Sequence, residues 1–260
     1  MVRRRYDGRN RSGGRMNRAR SLRRTGAGTT AGVICALAGL AAAEAGDIPS
    51  RAPPNTRLAH LEQYLMKADA EVALARSAAP PAVSANATIL TLGPQGYQTV
   101  VNGSNGFTCL VERSWTAPFD HPEFWNPKIR APVCYNPAAS SSVLPYTLRR
   151  TKLALGGRSQ AQMLEEVRAA VAHRELADPE PGAMSFMMSR DQYLGDAADA
   201  GHWHSHLMFH LPKAAAESWG ANLPGSPVVF DKSHQEVPEP QTIFFVPVAR
   251  WSDGTEAPGL

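Results

Sequence analysis

Residues 87–113 read ATILTLGPQGYQTVVNGSNGFTCLVER, and this stretch decides the fold. Three runs rich in β-branched and aromatic residues, Ala87 to Leu92, Tyr97 to Val101 and Phe107 to Arg113, are separated by turn formers. Gly93-Pro94 divides the first two, and Asn102-Gly103-Ser104-Asn105-Gly106 divides the second from the third. Asn-Gly pairs supply the positive φ that tight hairpins need, so the spacing predicts an antiparallel meander.

Upstream, from Arg57 to Ala79, apolar residues at Leu58, Leu61, Leu65, Val72 and Ala75 recur at helical steps, and Pro80-Pro81 ends the pattern. Downstream, Ser114 to Pro137 holds five prolines and the rings of Trp115, Phe119, Phe124, Trp125 and Tyr135 without a regular period, which predicts a long ordered loop. Ser140 to Leu155 and Gln160 to Leu176 read as helices broken at Gly156-Gly157, with Ser159 as the second N-cap and Leu164, Val167, Ala170 and Val171 as its buried stripe. Strand-like runs return at Ala183 to Ser189, Trp203 to Leu211 and Ile243 to Val248. Strands, then helices, then strands imply an α+β domain over residues 57–260, a mostly antiparallel sheet with helices packed on one face.

The N-terminal region reads as a targeting segment. Ten arginines fall in the first 24 residues, followed by the uncharged run Ala31 to Ala43 and by Ala43-Glu44-Ala45, a small-x-small cleavage pattern. The run is too short to span a bilayer, which takes roughly 20 apolar residues. Residues 1–45 are therefore expected to be a secretory signal peptide and 46–56 a flexible tether, giving a periplasmic or secreted protein with no stable membrane anchor after cleavage. Arg23-Arg24 leaves the twin-arginine route open beside the general one, although Gly26 stands where that route favours a bulky apolar residue. Removing the leader takes ten of 27 basic and two of 23 acidic residues, leaving 17 against 21. The remaining chain is mildly acidic, and no basic patch argues for nucleic acid. Cys109 and Cys134 are the cysteines left beyond the leader, and an even count in an oxidising compartment predicts a disulfide.

Gly201 to His210, GHWHSHLMFH, carries half of the chain's eight histidines. On a strand, His202, His204, His206, Met208 and His210 share one face, and Trp203, Ser205, Leu207 and Phe209 share the other, which is apolar enough to be core. Residues two apart lie roughly 6.6 Å from each other, so a neighbouring pair can meet one ion while three in a row cannot. A metal site would use His204 and His206 plus a ligand from elsewhere. His121, Glu123, Glu112, Asp196, Asp199, His234 and Glu236 are the candidates. Imidazoles with open positions suit Zn or Cu, and Met184, Met187, Met188 and Met208 would add soft ligands for copper. The same pattern also fits histidines on a solvated strand face, with methionines as core filler.

Other signatures are incomplete or missing. His121-Pro122-Glu123 with Pro132-Val133-Cys134 begins a zinc-deaminase pattern but lacks its second cysteine, and no glutamate follows the His-x-His as in cupins. The sequence holds no Gly-x-Ser-x-Gly, no His-Glu-x-x-His and no phosphate-binding glycine loop.

The segments Asn105–Trp115 (NGFTCLVERSW), Phe124–Pro127 (FWNP) and Gly201–His206 (GHWHSH) resemble an uncharacterised family of predicted exported bacterial proteins. The resemblance covers most of the chain beyond the leader; it implies export and no assigned activity. Members often carry proline at the place of Ser205. Two functions follow as expectations: a metal-site protein, with a metal-dependent hydrolase as its catalytic form, or a non-catalytic module that holds a small molecule through Trp115, Phe119, Phe124 and Trp125.

Overall fold

The computed structural model describes residues 56–196, 204–214 and 216–258, all within one compact unit, Arg51–Leu260. The expected leader, the tether apart from Thr56, and His202, Trp203 and Asp199 lie outside the described residues.

Seven strands form one open sheet: β1 (Thr88–Gly93), β2 (Gly96–Val101), β3 (Thr108–Glu112), β4 (Ala131–Tyr135), β5 (Met184–Met187), β6 (His206–Pro212) and β7 (Gln241–Pro247), in the order β2-β1-β3-β4-β5-β6-β7. Every pairing is antiparallel except β1 with β3, so the architecture is α+β with a mostly antiparallel sheet.

The parallel pair departs from the expected meander. β2 pairs only with β1 and forms the sheet edge, while β3 lies on the other side of β1. The glycine-rich loop makes the crossing. Ser104 N donates to Asn86 O (2.9 Å), Gly103 N to Thr88 Oγ1 (3.1 Å), and the Asn105 side chain to Val83 O (2.7 Å), which carries the chain over the start of β1. Thr88 N then donates to Phe107 O at 2.8 Å, opening the parallel pair. A Cβ on Gly103 would stand 2.2 Å from Thr88 N, so only glycine fits this crossing.

Cys109 and Cys134 sit directly opposite each other on β3 and β4, with Cα atoms 4.0 Å apart, and are joined by a disulfide. Its closed loop, with a sequence separation of 25, is worth roughly 3 to 4 kcal/mol in the chain-entropy model. β4 occupies the centre of the sheet although the sequence reads as loop there, because Pro132 argues against a central strand. Only Cys134 and Tyr135 of β4 pair with β5, so Pro132 falls where β3 is its sole partner strand and a missing N–H can be tolerated.

The described residues also form five α-helices: α1 (Ala68–Arg76), α2 (Pro81–Ser84), α3 (Pro137–Ser142), α4 (Leu144–Leu155) and α5 (Gln160–Ala172). Ser159 caps α5 in a full capping box with Gln162. α4 and α5 press Tyr146, Leu153, Ala154, Met163, Val167 and Ala170 onto the sheet face formed by Leu90, Leu110, Val133 and Tyr135. α1 lies on the opposite face, where Ala75 meets Ile89, Cys109, Val111 and Cys134.

The helix expected over Arg57 to Ala79 is only nine residues long, with a 3₁₀ turn at Leu61–Gln63 before it. Tertiary contacts override the period. Tyr64 is fully buried, its hydroxyl donates to Trp125 O at 2.8 Å, and its carbonyl accepts from Arg113 Nε at 2.8 Å. Among the described residues no helix is long and apolar enough to cross a membrane.

The loop crossing predicts that Gly103→Ala lowers stability by about 2 kcal/mol or more. Gly93→Ala, whose added methyl would meet nothing closer than 3.6 Å, should change it far less. Denaturant unfolding of the two variants is the measurement; equal midpoints would remove the packing argument.

Candidate functional site: a polar-walled cavity over the histidine strand

A cavity of about 460 Å³ lies on the α4 side of the sheet. Its floor is built from alternate residues of neighbouring strands: Glu112 on β3, Tyr135 on β4, Met187 on β5, Met208 and His210 on β6, and Ile243 and Phe245 on β7. Val143, Tyr146, Thr147 and Arg150 form its roof, and His121, Lys213, Asp231 and His234 reach it from the flanking loops.

Polar groups of the wall are organised around Glu112. Tyr135 OH and Thr147 Oγ1 each donate to Glu112 Oε1 at 2.6 Å, and Thr116 Oγ1 lies 3.2 Å from Oε2. Burial, reinforced by the adjacent carboxylate, holds the Tyr135 phenol well above its ordinary pKa, so it is a fixed donor. Arg150 makes a two-pronged pair with Glu239, Nε to Oε1 at 2.6 Å and Nη2 to Oε2 at 2.8 Å, and stacks 4.3 Å over the Phe119 ring. That pair ties α4 to the segment entering β7. Ser114, 2% exposed, also lines the cavity, and its hydroxyl has no hydrogen-bond partner among the described residues.

The histidine strand alternates, with its faces opposite to the expectation. His206, Met208 and His210 are buried, whereas Leu207 and Phe209 are half-buried. Imidazoles tolerate this because each has partners. His210 Nδ1 lies 3.0 Å from Gln241 Oε1 and Nε2 lies 3.0 Å from Ser185 Oγ, so a neutral ring donates to the amide and accepts from the hydroxyl. His206 Nδ1 donates to His204 O at 2.8 Å, and its ring packs edge-on to Phe245. Burial depresses both imidazoles to about 4, so both are neutral at physiological pH.

The other sequence candidates are distributed differently. His204 Nδ1 is 3.2 Å from Pro258 O. Because a carbonyl only accepts, His204 and His206 both carry a ring proton on Nδ1, and Nε2 of His206 is buried with the rest of its ring. His121 comes together with His234 instead, their ring centroids 4.7 Å apart, and not with the strand histidines. His121 Nδ1 accepts from Glu123 N at 3.1 Å, which places the proton of the neutral ring on Nε2 and leaves no lone pair for a metal. Burial and His234 lower its pKa. Glu123 accepts from Asn126 and from Asp196 N, Glu236 pairs with Arg168, and Asp196 pairs with Lys128. Among the described residues no group of three His, Cys, Asp or Glu side chains is placed to hold a metal ion.

The aromatic loop turns inward. Trp115, Phe119, Phe124 and Trp125 are all at most 3% exposed, belong to the main core and do not line the cavity. Trp115 Nε1 donates to Thr151 Oγ1 at 3.0 Å, so even its polar atom is used inside the fold. What sequence reasoning missed is the polar stripe of α4. Thr147, Arg150 and Thr151 are buried at i, i+3 and i+4, a spacing that marks one helix face and signals a polar inner wall.

A comparison of this chain with family models, curated proteins and solved structures found no match. The cavity geometry is therefore what a functional reading has to stand on.

The two buried imidazoles set an acid limit. A group whose folded pKa is depressed from about 6.5 to about 4 contributes fully above pH 6.5 and loses its contribution as pH falls toward 4. Each histidine carries on the order of 3 kcal/mol of this linkage. Urea midpoints should fall steeply between pH 6.5 and 4.5, and His210→Gln should flatten that slope; a midpoint unchanged over this range would contradict the burial.

Proposed function

We propose that this chain is an exported protein that binds a small molecule in the cavity between α4 and the strands β3 to β7. The observation that carries the reading is the wall itself. An apolar floor of Met187, Met208, Ile243 and Phe245 meets polar groups at Glu112, Tyr135, Thr147 and His210, and one buried hydroxyl of the lining, Ser114, has no partner among the described residues. Apolar concavity with a few fixed polar groups is the usual form of a ligand site, and an unpartnered buried hydroxyl costs about 1 to 3 kcal/mol unless something in the cavity bonds it. Export is supported by the arginine-rich leader pattern, and the Cys109–Cys134 disulfide is compatible with it. The expected binding role of the aromatic loop passes to this cavity, since the rings of the loop are core.

A second reading rests on His204, which donates Nδ1–H to Pro258 O and so holds Nε2 as an acceptor, two residues from His206 at the start of β6; with further ligands this would suit a Zn or Cu ion.

Two experiments separate these. With ¹³C-methyl methionine labelling, compounds from a fragment library that bind should shift the Met187 and Met208 methyls and leave Met163, in the core away from the cavity, in place. Binders that move only other methyls would overturn the cavity reading. For the metal, protein recovered from the export compartment, expected to begin near Gly46, should contain or take up one Zn or Cu ion, and His204→Ala and His206→Ala should each remove most of that affinity. Metal-free protein that takes up none ends the second reading.

A further inference from the structure

We propose that the molecule held in this cavity is a cationic amine with a compact apolar body, recognised by the Glu112 carboxylate and the Ser114 hydroxyl; this rests on the cavity reading above.

The argument begins with an account of lone pairs. A carboxylate offers about four acceptor sites. Glu112 Oε1 takes two short bonds, from Tyr135 and Thr147. Oε2 has one contact, at 3.2 Å, from a Thr116 hydroxyl that also reaches Arg113 O at 2.9 Å and has a single proton to give. Oε2 is therefore under-used, and among the described residues it has no positively charged partner. Ser114, two residues on, belongs to the same lining, and its buried hydroxyl has no partner among the described residues.

Both arginines of the cavity lining are already matched. Arg113 directs its guanidinium to Glu71 on α1 and to two backbone carbonyls, so it does not neutralise Glu112. Arg150 is committed to Glu239 and to the carbonyls of Trp115 and Ala117. Lys213 is exposed, donates to Val237 O and has no carboxylate partner among the described residues. Burial keeps His210 neutral, with both nitrogens bonded. An anionic ligand placed at Glu112 would meet a like charge, and a neutral one would leave the carboxylate without a charged partner. An ammonium meets the need at Oε2, and Ser114 would turn its buried hydroxyl toward it as a second acceptor; a charge-assisted bond in a partly desolvated site is roughly twice as strong as a neutral one. Its apolar part would rest on Met187, Met208, Ile243 and Phe245.

The test uses three probes of matched shape on the whole exported protein: 2-phenylethylamine, 2-phenylethanol and phenylacetate. Affinity is read by calorimetry, and the site by the Met187 and Met208 methyl shifts. The amine should bind at least tenfold more tightly than the alcohol, with phenylacetate weakest. Glu112→Gln should abolish that preference, and Ser114→Ala should weaken the amine about threefold or more. If the alcohol or the carboxylate binds in the cavity as tightly as the amine, the cavity reading survives and the amine assignment is overturned. If none of the three moves those methyls, the amine assignment falls, and the broader fragment screen decides the cavity reading separately. The comparison among probes is made on the unaltered protein, so it stands even if a variant fails to fold.

Discussion

The guanidinium of Arg113 is removed from water entirely, and a charge in that position must be given partners from wherever the chain can supply them. It takes Glu71 Oε1 at 2.8 Å from α1, Tyr64 O at 2.8 Å from the segment before α1, and Val111 O from β3, which ends one residue before it. Glu71 in turn accepts from Leu92 N at the end of β1. One ion pair thus joins the N-terminal segment, the helix on one face of the sheet and two adjacent strands. The segment before Ala68, which is not helical at Tyr64, supplies one of these acceptors. Replacing one partner alone would leave the other as an uncompensated buried charge, the costly way to disturb such a pair.

With β1 and β3 anchored in this way, the opposite face of the sheet is left to α4 and α5. α4 does not seal that face with apolar side chains along its whole length. Thr147, Arg150 and Thr151 turn inward, where Arg150 is neutralised by Glu239 and Thr151 receives the Trp115 indole N–H. Polar side chains that satisfy one another hold the helix at a fixed height above the strands without filling the space between. The cavity is the result. Its polar wall consists of groups that are structural on one side and open on the other, Glu112 being the clearest case.

The histidine strand shows the same economy of partners. Burying an imidazole disfavours its charged form, and the fold accepts that by bonding the neutral ring: Ser185 and Gln241 serve His210, and the carbonyl of His204 serves His206. Histidines that look solvent-facing beside Leu207 and Phe209 thereby become part of the core, while those two apolar residues stay half-exposed on the other face.

Much of the local structure was legible in the sequence. Strand runs at β1, β2, β3, β5, β6 and β7, the Ser159 cap, the pairing of Cys109 with Cys134, and the alternation along His206–Pro212 all depend on a residue and its near neighbours. Propensity, capping and period are written at that range. The side of β1 on which β3 lies, the entry of β4 with its Pro132 into the centre of the sheet, and the face of β6 that is buried were decided by the tertiary structure alone. So was the cavity, whose walls come from β3, β4, α4 and β7 and whose Arg150–Glu239 tie spans 89 residues. The reason is physical: a buried polar group must find a partner, and which partner is within reach depends on how distant segments pack, which no local pattern encodes.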